Sequence, residues 1–64
     1  LSELAPGLTD AQVRLLVNYS IAGADGLFIA KELGGDSVDL IELFEMHANA
    51  IYDTALRMLA ENAQ

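Results

Sequence analysis

The segment from Asp10 to Leu33 has helical character and is apolar around most of its circumference. At about 100° per residue, five of its polar side chains fall within an arc of roughly 80°. They are Asp10, Arg14, Asn18, Asp25 and Glu32. A helix that is mostly apolar in every other direction has to be buried on several sides. A chain of 64 residues holds too few partners for such a helix, so the sequence predicts a protomer of an obligate oligomer or a part of a larger protein.

Length and composition leave association as the main source of stability. A chain this short buries only about 60% of its unfolded surface. It has no cysteine for a disulfide and a single histidine, which is too few for a zinc site. Its hydrophobic fraction is 53%. We therefore expect no metal and no cofactor, and a second protein chain in their place.

The net charge of −7 restricts the partners. The positive side chains are Arg14, Lys31 and Arg57. Nucleic acids and anionic membrane surfaces attract proteins through cations, so we expect this chain to bind neither. The longest apolar stretch, Leu15 to Ala30, is interrupted by Asn18 and Asp25 and falls short of the ~20 uninterrupted apolar residues of a membrane span. Since no basic leader is present, the expected location is the cytoplasm.

Capping signals set the bounds of two helices. Thr9 and Gln12 match a T-x-x-Q capping box, and Gly34 with Gly35 supplies the left-handed end of a helix. These signals predict a first helix over 10–33. Candidate N-caps follow at Asp36, Ser37 and Asp39, and they predict a second helix over 38–61. Two long helices with a short link predict an all-α fold, an antiparallel two-helix hairpin.

A cluster of small residues lies inside the first helix, from Ala22 to Gly26. Each helical glycine costs about 1 kcal/mol relative to alanine. The cluster therefore predicts close approach of another helix or of a ligand to the backbone. The alternative is a break into two shorter helices at Gly26.

A single hairpin uses one stripe of each helix and leaves much of the first helix uncovered. We therefore expect two hairpins to pair as a homodimer in a four-helix bundle. The predicted interface residues are Leu16, Gly23, Leu27 and Ala30 on the first helix and Leu40, Phe44, His47, Ile51 and Met58 on the second.

No group of residues in the sequence predicts catalysis. His47 lies on the apolar stripe and has no nucleophile at a suitable spacing, so it is interpreted as a packed or interface histidine. The carboxylates Glu42, Glu45 and Asp53 follow a solvated face and lack the E-x-x-H spacing of di-iron bundles. Asp25 either faces water or accepts a hydrogen bond from a partner or an effector. The chain is predicted not to be an enzyme.

The segment G-G-D-S-V-D-L-I-E-L, from Gly34 to Leu43, resembles the phosphopantetheine attachment motif of acyl carrier proteins. In that case Ser37 would carry the prosthetic group. The rest of the chain departs from a carrier protein, because one continuous helix precedes the serine and another follows it. The alternative is that Asp36 and Ser37 are ordinary capping residues.

A broader resemblance covers Leu4 to Leu59. The A-P-G-L-T-D-A-Q lead, the A-G-A-D-G-L-F-I-A segment, the short G-G-D turn and the final amphipathic helix resemble the end of the C-terminal domain of TetR-family transcriptional regulators. The resemblance implies that residues 1–64 are a dimerisation and effector-binding region. It also implies that DNA is bound only by a separate N-terminal domain, which this chain does not contain. The first helix would line a pocket for a small-molecule effector, with Asn18 and Asp25 as candidate wall residues.

Overall fold

The computed structural model describes residues 6–64 and shows two long helices in an antiparallel hairpin. Helix α1 spans Asp10–Gly34 and helix α2 spans Leu40–Asn62, with a single 3-10 turn at Gly35–Ser37 between them. The Cα atoms extend over 45 × 17 × 14 Å. The predicted all-α hairpin is confirmed, and each helix ends one residue later than expected. Residues 1–5, which include the start of the lead quoted above, lie outside the described part.

Side-chain caps fix the end of the hairpin that lies opposite the turn, where α1 begins and α2 ends. The Gln12 amide N–H donates to Thr9 Oγ1 (3.1 Å) and the Thr9 amide N–H donates to Gln12 Oε1 (3.0 Å), which is the predicted capping box. Asn62, the last residue of α2, donates from Nδ2 to the Gly7 carbonyl (2.9 Å) and exchanges side-chain hydrogen bonds with Gln12. Next to these polar contacts Leu8 is only 8% exposed. The lead-in, the start of α1 and the end of α2 are therefore joined.

The end of the hairpin at the turn, which we call the closed end, explains why α2 begins two residues later than predicted. Gly35 has a φ of 55° and ends α1, while Val38 is extended and Asp39 is the N-cap. The Glu42 amide N–H donates to the Asp39 carboxylate (3.1 Å). Lys31 Nζ donates to the carbonyls of Gly35 and Val38, both at 2.9 Å. The turn is thus held by a cation on the last turn of α1, where the helix dipole also favours positive charge.

One set of half-buried residues on each helix recurs at alternating steps of three and four, the spacing of a coiled-coil seam. Half-buried helix residues outside this set are Gln12, Ala24, Lys31, Leu43, Ala50, Ala55 and Leu59. The members of the set are as follows. On α1 they are Val13, Leu16, Ser20, Gly23, Leu27, Ala30 and Gly34. On α2 they are Leu40, Phe44, His47, Ile51, Thr54 and Met58. We call these residues the seam. On α1 the seam holds small residues at Ser20, Gly23, Ala30 and Gly34, whereas large side chains dominate the seam of α2. Helix α1 runs unbroken through Gly26, so the alternative of two shorter helices is wrong.

Candidate interaction surface

All nine residues predicted for the dimer interface lie on the seam between the two helices of one chain. Each of them is half-buried, and side chains of α2 pack against α1 at several levels. The structure therefore brings these residues together within a single hairpin. Because none is fully buried, each still presents part of its surface outward.

His47 shows how the seam is built. Its Nε2 lies 3.2 Å from the Ser20 carbonyl oxygen; a carbonyl only accepts, so this nitrogen carries the proton. Its ring lies directly over Gly23, where an added Cβ would meet Cε1, Nε2 and Nδ1 of the imidazole. The Tyr19 ring packs against it with centroids 5.0 Å apart. His47 is thus a packed histidine, in keeping with its interpretation from the sequence. The absence of a side chain at Gly23, within the cluster of small residues on α1, leaves room for its ring.

Asn18 and Asp25 are exposed on the side of α1 that points away from α2. An open cavity of about 310 Å³ lies near the closed end instead. Its lining residues are Ser37, Val38, Asp39, Glu42, Leu43 and Met46. The structure thus separates the two candidate effector residues from this cavity. Their role in an effector pocket remains a prediction.

Ser37 is exposed in the 3-10 turn, and its hydroxyl donates to the Gly34 carbonyl (2.7 Å). It lies two residues before Asp39, the residue that caps α2. Ser37 therefore closes the end of α1 and does not cap α2.

A broad apolar surface, which we call the front face, remains exposed across both helices. It consists of Val17, Ile21, Ala24 and Phe28 of α1 and Ile41, Ala48 and Tyr52 of α2, with Glu45 between Ile41 and Ala48; Ala24 is half-buried and the others are exposed. Each of these residues directly follows a seam residue in the sequence. In an antiparallel pair of right-handed helices, residues that follow the seam lie on the same side of the pair. The contact between the rings of Phe28 and Phe44, with centroids 5.5 Å apart, crosses the two helices at this side.

A second apolar surface, the back stripe, consists of the α1 residues that directly precede the seam. They are Leu15, Tyr19, Ala22, Gly26, Ile29 and Leu33. On the same side of the hairpin α2 carries the residues that precede its seam positions, which are Asp39, Leu43, Met46, Ala50, Asp53 and Arg57. Met46 is 65% exposed, so the back of the hairpin is apolar on α1 and mixed on α2.

The sequence-based interface list contains no residue of the front face. The sequence does contain the pattern of the front face, because each front-face residue stands one position after a seam residue. This pattern could not be recognised, because nearly every direction around α1 is apolar. Only the register between the helices shows which side α2 covers.

Within residues 6–64 no group of three or more histidine and carboxylate side chains is placed to hold a metal ion. By length and composition the segment Asp10–Ser37 is apolar enough to cross a membrane, and none of its most apolar window is buried within the hairpin. Core helices of water-soluble proteins, which are mostly buried, and signal sequences pass the same test of length and composition.

The comparisons with known proteins add no relative to this picture. No family model, no curated protein and no solved structure matches the chain.

Proposed function

We propose that this chain is a homodimerisation element in which two hairpins pack through their front faces into a four-helix bundle. The observation that carries the proposal is the distribution of apolar surface. Among the described residues Leu8 is the one buried hydrophobic side chain, whereas eleven large hydrophobic side chains are exposed. Such a chain is stabilised by a partner that covers them.

The front face occupies part of one side of the hairpin. It runs over residues 17–28 of α1 and 41–52 of α2, about 16 Å along the helices, whereas the hairpin is 45 Å long. Each large apolar side chain transferred from water gains roughly 1.5–3 kcal/mol. The five large side chains of the front face would therefore contribute substantially to association. They are Val17, Ile21, Phe28, Ile41 and Tyr52.

A membrane is a less favourable cover for the same surface. Helix α2 packs antiparallel along α1 and carries Glu42, Glu45 and Asp53. A hairpin inserted into hydrocarbon would take these carboxylates with it, at roughly 2.5–3.5 kcal/mol for each one near the helix centre. A second hairpin on the front face leaves Glu42 and Asp53 in water and meets only Glu45, which directly follows the seam residue Phe44. This argument favours a water-soluble dimer, consistent with the expected cytoplasmic location.

The finer proposal is that the dimer belongs to a TetR-like transcriptional regulator as its dimerisation and effector-sensing region. It is supported by the quoted sequence resemblance and by two long final helices of the expected order and length. In this proposal the chain has no enzymatic activity, and DNA is bound by a separate domain. Joining the chain to a helix-turn-helix domain that represses only as a dimer would test it. The fusion protein is expected to repress. An Ile21→Asp fusion is expected to lose repression, which would show that repression depends on the front face.

Light scattering of the purified chain across a concentration series tests dimerisation directly. The expected mass is twice the 6.8 kDa of one chain. A mass of 6.8 kDa at all concentrations would overturn the proposal. Ile21→Asp places a charge on the front face and is expected to raise the dissociation constant at least ~100-fold, because both copies lose about 1.5 kcal/mol or more of burial. Leu56→Asp is the matched control, since Leu56 is similarly exposed (46% against 57%) but lies outside the front face.

A further inference from the structure

We draw no further inference here: the strongest candidate, the open cavity of about 310 Å³ at the closed end of the hairpin, carries nothing because the Asp39 carboxylate on its wall already caps α2 and nothing in the described part of the structure shows what would occupy it.

Discussion

Replacing Gly23 by alanine is expected to destabilise the hairpin even though alanine is the better helix former. A Cβ on Gly23 would lie against three atoms of the His47 ring, the farthest of them at 2.8 Å. Carbon atoms prefer separations of about 3.5–4.0 Å, so the whole ring would have to move by roughly 1 Å or more. That movement breaks the 3.2 Å contact between His47 Nε2 and the Ser20 carbonyl.

The expected magnitude follows from three opposing contributions. Alanine gains about 1 kcal/mol in helix propensity over glycine. Overpacking costs typically 1–3 kcal/mol, and the lost hydrogen bond costs about 0.5–1.5 kcal/mol. Gly23→Ala should therefore lower the free energy of unfolding by about 2 kcal/mol. Gly26→Ala is the matched control, because a Cβ on Gly26 meets nothing within 4 Å. It should raise the free energy of unfolding by about 1 kcal/mol.

Urea unfolding followed by far-ultraviolet circular dichroism measures both variants, at one fixed protein concentration because association adds to the apparent stability. The double variant Gly23→Ala/His47→Ala removes the clash and should recover part of the loss. If Gly23→Ala were as stable as Gly26→Ala, the ring of His47 would not be seated on α1, and the register of the hairpin derived from that contact would be wrong.

Three further predictions concern the ends of the helices. Thr9→Ala removes the hydroxyl that accepts the Gln12 amide and should cost about 1 kcal/mol; an unchanged urea midpoint would contradict the capping role. Gly7→Ala should also destabilise, by about 1 kcal/mol or more, because Gly7 has a φ of 94° and an added Cβ would lie 2.7 Å from Leu59 Cδ2. Gly35→Ala is the comparison variant, because Gly35 also has a positive φ but an added Cβ there meets no atom within 4 Å. The difference between the two variants in thermal unfolding measures the clash with Leu59 apart from the backbone strain. Ser37 should keep its mass on incubation with coenzyme A and a phosphopantetheinyl transferase; a gain of the prosthetic group would favour the carrier-protein alternative over the dimerisation element.

Local signals in the sequence were sufficient for the two helices and their ends. The capping box of Thr9 and Gln12 and the glycine end at Gly35 act through atoms a few residues apart, so no distant contact is needed to predict them. The largest shift, of two residues at the start of α2, has the same local character. Val38 is extended because Asp39, the third of three candidate caps, receives the Glu42 amide.

The sequence could not show which helix covers the seam. The periodic stripe of Leu40, Phe44, His47, Ile51 and Met58 is visible in the sequence, and it was interpreted as a surface between two chains. The structure places it against α1 of the same chain. Periodicity shows that residues share one side of a helix, but it carries no information about which helix covers that side.

For α1 the sequence by itself determined that one stripe could not satisfy the helix, because apolar side chains surround most of its circumference. Only the tertiary structure decided which stripe α2 takes. Packing gives the reason: Ser20, Gly23 and Ala30 are small enough for the larger side chains of α2 to enter, as His47 does at Gly23. The choice of that stripe leaves the front face and the back stripe exposed. It also sets His47 level with Gly23.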